Sequence, residues 1–387
     1  MSRSPIDIRS GTEMSDVERQ KYRYWDAASG LPLSPAGRQA LTTAWDSAWP
    51  DPSRRYAAAR QSHRLLDAAR SSVANRLGIG AAGVFFLPDI DTAITTALSG
   101  FPAHRLLVSA VEDTAILRAT DERQRRGAAL TTAPVTDSGV VAAAGVGQAA
   151  HPSDSALLVI QDVNIEIGSR QPLAELGALL PAQSLVLADG RASVGRDTVA
   201  DSWDLLLADP RMWGGPPGCA VLAVREPQHF HPQTPWLGGF ADIEPANPAV
   251  PLIAAAALAL EQQAEDRANT AAISDYLRTT VPETIPDCEV VGVPTSSFIT
   301  MFTFLYVAAD ELIDELARRG WSCASGASCT SDTQRPHHVL TAVGASSHGS
   351  LRVSLPPWIR QQDAHDFVAE LADIVTILRR EAGAAEL

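Results

Sequence analysis

Short apolar runs, each followed by a segment of helical periodicity, recur through the first two thirds of the chain and leave it few possible folds. Val84–Leu87, Leu106–Ser109, Leu157–Ile160, Leu185–Ala188, Leu205–Ala208 and Ala220–Val224 are apolar along almost their whole length. Strands buried on both faces must read this way. Ala57–Leu77, closed by Gly78, then Thr92–Leu98, and Thr114–Arg126, stopped by Gly127, read as helices. The alternation predicts an α/β domain with a mostly parallel, doubly wound sheet. Beyond Pro248 the pattern changes. An Ala-rich helical stretch runs to Arg278, followed by strands at Glu289–Val291 and Ile299–Tyr306. Helices at Asp310–Arg319 and Gln361–Arg380 complete a smaller α+β domain. The expected division gives residues 24–260 to the large domain, and 1–23 with 261–387 to the small one.

At 387 residues the chain is long enough for two cores. Its net charge of −14 argues against non-specific nucleic-acid binding and against an anionic membrane surface. No stretch approaches the ~20 apolar residues of a membrane span. Cys219, Cys288, Cys323 and Cys329 are too few for a disulfide scaffold and lack paired metal-ligand spacing, so no metal and a reducing cytoplasm are expected.

Several segments carry chemistry in a fixed order. Tyr24-Trp-Asp26-Ala-Ala-Ser-Gly-Leu-Pro32 opens the series, and Ser109-Ala-Val-Glu112-Asp113 and Val163-Asn164-Ile-Glu166-Ile-Gly168 follow. Leu187-Ala-Asp189-Gly-Arg-Ala192-Ser and Asp204-Leu-Leu-Leu-Ala-Asp-Pro-Arg-Met-Trp-Gly-Gly-Pro-Pro-Gly218 come next. Cys323-Ala-Ser-Gly-Ala-Ser-Cys329-Thr-Ser331 and His348-Gly-Ser-Leu-Arg352-Val-Ser354 end it. Together they resemble the cysteine desulfurase and selenocysteine lyase family, class V aminotransferase-like enzymes. The resemblance implies the fold type I architecture of pyridoxal-phosphate transferases, a dimer, and sulfur transfer from cysteine. It also implies that Cys329 accepts the sulfur and that Arg352, with Asn164, holds the substrate.

Against that pattern the cofactor positions are changed together. Met212 stands where the resemblance places the cofactor lysine, Arg211 where it places a histidine, and Asp209 where it places a phosphate-binding serine. A thioether cannot form a Schiff base, which needs a primary amine. Nor is a neighbour available, because the chain has 30 Arg and one lysine, Lys21. Asp91 replaces the phosphate-binding threonine, Asp113 the histidine that stacks on the ring, and Ala192 a ring-contacting glutamine. Asp189, the partner of the pyridinium nitrogen, is kept. A carboxylate ~4 Å from a phosphate costs roughly 4 kcal/mol at an effective dielectric of 20. Pyridoxal phosphate, expected from the family, therefore has neither its lysine nor its phosphate cup.

If the fold is kept, Asp89, Asp91, Asp113, Asp189 and Asp209 are expected to converge on the old cavity. They would either bind a cation or pair with Arg191 and Arg211. Arg352 either grips a ligand carboxylate or pairs with one of these aspartates. Cys329 is either a nucleophilic thiolate or an inherited cysteine without a substrate. Cys219, Cys288 and Cys323 read as core, and His337, His338 and His348 as polar loop residues. Three functions stay open. One is a desulfurase-like protein that has lost pyridoxal chemistry and accepts or relays sulfur through Cys329, with a sulfur donor or acceptor protein as its partner. A second is an active desulfurase with an atypical cofactor mode. The third is a structural subunit paired with an active desulfurase-like chain.

Overall fold

The computed structural model describes residues 23–100, 105–149, 155–232, 243–263, 267–293, 296–326 and 337–384. The first helix, α1 (Pro35–Ser47), begins where the Ser34 hydroxyl accepts the Gly37 N–H at 3.0 Å and proline takes the first position. The apolar runs do not announce it. Helix α2 (Ala57–Leu77) follows and ends on Gly78 at φ +68, a left-handed cap that suits glycine.

Every predicted strand of the large domain forms. In chain order the elements are β1 (Val84–Leu87), α3 (Ile90–Ser99), β2 (Arg105–Ser109), α4 (Thr114–Arg125) and β3 (Ala129–Ala133). Then come α5 (Ala143–Ala149), β4 (Ala156–Gln161), α6 (Leu173–Gly177), β5 (Leu185–Asp189), β6 (Leu205–Ala208) and β7 (Ala220–Val224). They make one seven-stranded sheet in the order β1-β7-β6-β5-β4-β2-β3. Strands β3, β2, β4, β5 and β6 run parallel, while β7 lies antiparallel between β6 and β1. Strand β3 escapes the sequence pattern because it is an edge strand, and four of its five residues lie partly or fully exposed.

The predicted helix from Pro248 to Arg278 is in fact two, α7 (Val250–Glu261) and α8 (Ala268–Thr284). The small sheet is antiparallel: β8 (Cys288–Val290), β9 (Ile299–Phe304) and β10 (Ser350–Ser354), in the order β10-β9-β8. Helices α9 (Ala309–Arg318), α10 (His338–Ala342) and α11 (Gln361–Glu381) accompany it. The N-terminal segment belongs to this sheet by contact. Tyr24 bridges Ser322, Asp26 bridges Ser354, and Trp25 packs against Trp321 and Phe367 at ring centroids of 4.9 and 4.4 Å.

Candidate functional site

In open α/β sheets, ligands collect beyond the carboxyl ends of the parallel strands. Here β5 and β6, neighbours in the sheet, end in the same three-residue clasp. Asp189-Gly-Arg191 turns back so that the Arg191 backbone N–H donates to Asp189 Oδ1 at 3.0 Å. The Arg191 side chain also donates, through Nε to both oxygens at 2.9 and 3.0 Å and through Nη2 to Oδ2 at 2.6 Å. Asp209-Pro-Arg211 repeats the pattern, with the backbone N–H at 3.0 Å and Nη2 at 2.6 Å. The two clasps differ in surroundings. The Arg191 side chain is 9% exposed and that of Arg211 48%.

Arg191 also reaches Asp113, Nη2 to Oδ2 at 3.4 Å. Burial alone would push its guanidinium down, but Asp189, Asp113 and Asp209 outweigh that and hold it above its ordinary value. Glycine suits the middle of the turn, because a Cβ at position 190 would meet Leu206 Cδ1 at 2.6 Å and Leu207 O at 3.0 Å. Asp113 serves the next element as well, accepting the Ala115 N–H at 2.7 Å to start α4.

The structure gathers three of the five expected aspartates, not all of them. Asp113, Asp189 and Asp209 surround Arg191, whereas Asp89 and Asp91 are exposed. The reason is local. Asp89 accepts the Thr92 N–H at 2.7 Å as the cap of α3, and Asp91 follows in its first turn, where the helix dipole favours a carboxylate at the water-facing end. Met212 is buried in the main core, in a short 3-10 turn, Pro210–Trp213, with its N–H on Asp209 O at 3.0 Å. Ala192 is buried too.

Arg352, on β10, is already held by the protein. Nη2 donates to Asp26 Oδ1 at 3.0 Å and to Ser29 Oγ at 3.1 Å, and Nη1 lies 2.9 Å from Glu166 Oε2. Its partners are thus Asp26 and Glu166, not the pocket aspartates that the sequence suggested. Only tertiary contact could reveal this, since Asp26 and Arg352 are 326 residues apart. Asn164 is buried, with Oδ1 accepting the N–H groups of Glu166 and Ile167 at 2.8 Å and Nδ2 donating to Val111 O at 3.0 Å. It shapes the turn that presents Glu166.

A pocket of about 200 Å³ lies between Glu112, Asp113, Asn164, Glu166, His337 and His338. His337 lies in the loop as expected, whereas His338 does not. His338 opens α10, its Nε2 lies 2.7 Å from Glu112 O, and its ring stacks on His337 with centroids 5.3 Å apart. Sequence reading gave Glu112 no separate role. Its side chain is wholly buried and accepts the Gln161 N–H at 2.8 Å. Burial, helped by the nearby charge of Asp189, pushes its carboxyl well above the usual range. A larger, mainly apolar cavity of about 810 Å³ faces Arg211, lined among others by Tyr24, Leu31, Leu252 and Trp358.

Burial pushes the thiols of Cys219 and Cys288 up to about 12 and raises that of Cys323 as well. Cys329 lies outside the described residues. Among the described residues no group of His, Cys, Asp and Glu is arranged to hold a metal ion, and no helix is long and apolar enough to cross a membrane.

Comparison with known proteins bears on the family and the fold. The aminotransferase class-V family matches residues 51–367. Human cysteine desulfurase is 24% identical over 388 aligned positions, covering 95% of this chain and 84% of that protein. Cysteine desulfurase IscS of Methanosarcina thermophila is 26% identical, covering 92% of each. Among solved structures, a NifS-like protein superposes with a TM-score of 0.83 at 18% identity, over 92% of this chain and 99% of its own.

Proposed function

The chain belongs to the aminotransferase class-V family, and from that premise we propose a cysteine desulfurase-like protein that works without pyridoxal phosphate. Its role is to accept or relay sulfur through Cys329 as the non-catalytic member of a dimer. The observation that carries this reading is the buried Arg191 guanidinium, clasped by Asp189 and reaching Asp113. In the family's pattern those two positions bracket the cofactor ring. The residues present do not fit that group. A ring with a positively charged nitrogen would meet a cation already paired with Asp189. A phosphate at the start of α3 would meet the carboxylate of Asp89 on the Thr92 N–H and Asp91 one step further. Buried Met212 offers no amine.

The sulfur role rests on elimination among thiols. Cys219, Cys288 and Cys323 are packed and kept protonated at neutral pH. Cys329, in a segment similar to the family's sulfur-accepting loop, is the remaining candidate. Pairing with a second chain, its own copy or a desulfurase-like relative, is supported by Trp45 and Trp49, which are 64% and 74% exposed. With these thiols free, a cytoplasm-like reducing compartment suits the chain.

Purified protein mixed with pyridoxal phosphate is expected to gain no visible chromophore and no thermal stability. A coloured complex that releases sulfide from cysteine would overturn the reading. Exposure to a persulfide donor, followed by mass spectrometry, is expected to add sulfur to the Cys329 peptide. Equal loading of a Cys329→Ser variant would end the relay role.

A further inference from the structure

We propose that Arg191 is a built-in substitute for a ring cation: its flat guanidinium fills a buried slot between Asp189 and Asp113, and the fold depends on that slot being filled by a planar, hydrogen-bond-donating positive charge. The inference rests on the reading that no pyridoxal phosphate enters, and it goes further by assigning the space an occupant from the chain itself.

The neighbouring clasp provides the control. Arg211 holds Asp209 in nearly the same geometry, yet its side chain is half exposed and water is able to solvate it. Arg191 has no such option. Three carboxylates, on Asp189, Asp113 and Asp209, act on it, and its side chain is buried. Asp189 takes two side-chain N–H donors in one plane, which an ammonium on a flexible stem does not reproduce. Asp113 stands off the same Nη2 at 3.4 Å. A side chain at position 190 would run into Leu206 and the backbone of Leu207, so the turn that carries Arg191 is packed closely against β6. The slot is therefore selective for shape as well as charge.

The test is an Arg191→Ala variant examined by thermal unfolding with and without small cations, with wild type and Arg211→Ala at matched concentrations as references. Loss of Arg191 is expected to lower Tm by about 4–6 °C, given a buried pair broken in a chain of this length. Millimolar methylguanidinium or imidazolium should restore part of that loss, and methylammonium should not. Arg211→Ala is expected to lose no more than about 1 °C and to show no rescue. The Arg191→Ala deficit should also shrink in mild acid, as the stranded carboxylates take up protons. An Asp189→Asn/Arg191→Met variant removes both charges and should stay folded with no response to the cations, which guards against simple misfolding. The proposal is overturned if Arg191→Ala is as stable as wild type, if no planar cation raises its Tm, or if methylammonium rescues equally. Failure here leaves the cofactor-free reading standing. That reading falls only if wild type takes up pyridoxal phosphate.

Discussion

The ends of β5 and β6 carry one motif in two environments. Asp189-Gly-Arg191 and Asp209-Pro-Arg211 make the same backbone and side-chain hydrogen bonds, within a few tenths of an ångström of one another. One guanidinium is enclosed and shared with Asp113, whereas the other borders the 810 Å³ cavity. Identical local chemistry thus has different consequences. An exposed clasp is worth little, because water competes for both charges. An enclosed one is costly to break, because the abandoned partner has no water to turn to. The lesson is that burial, not geometry, makes the first clasp a replacement for a ligand and leaves the second a surface pair.

Four measurements test that contrast. The largest effect is expected from the carboxylates themselves. Asp189→Ala should cost about 3–5 kcal/mol in urea unfolding, and Asp209→Ala about 1–2 kcal/mol, from its lost turn cap and a half-exposed pair. Equal costs would mean that burial does not separate the clasps. Next comes Met212→Lys, which returns an amine to the position that the family's pattern reserves for it. It should cost about 2–3 kcal/mol, from lost apolar burial and a buried polar head. Its spectrum with pyridoxal phosphate should stay colourless, because Arg191 still fills the ring's place. A coloured Met212→Lys protein would show that the slot admits the cofactor. Asp89→Ala should cost about 1 kcal/mol as a lost helix cap. A much larger loss would extend the buried cluster to α3.

The gentlest change is Glu112→Gln, which keeps shape and the bond from the Gln161 N–H. In the folded chain the Glu112 carboxyl is raised above its ordinary value of 4.5, first by burial and then by Asp189. Its contribution to stability is therefore complete below that value and is lost as pH rises through the window above it. The amide cannot ionise, so the variant should gain on wild type as pH climbs from acid toward mildly alkaline. A constant difference between the two curves would mean that Glu112 ionises in the fold as freely as in water.

Much of the frame was readable along the chain. All six apolar runs called in the large domain became strands of one sheet, because a strand buried on both faces must be apolar throughout. Among the elements that escaped were β3 at the exposed edge and α1, whose start is set by a serine cap and a proline. The short helices α5, α6 and α10 escaped as well, as did the buried strand β10, whose Ser-Leu-Arg-Val-Ser run is not continuously apolar. In the site, the loss of the lysine at Met212 and the pairing of Asp189 with Arg191 were both within reach of sequence. The exposure of Asp89 and Asp91 was not, since nothing local says which way a helix start faces. Nor was the pairing of Arg352 with Asp26 and Glu166, which brings three distant segments together.

By itself, then, the sequence determined the buried strands of the large domain, the family and the missing amine. These depend on residue type and on spacing over a few positions. Tertiary structure alone decided which charges meet and which are sheltered from water. Two Asp-x-Arg triplets look alike in the chain, and the strength of an ion pair depends on the dielectric around it. That is a property of the whole packed molecule.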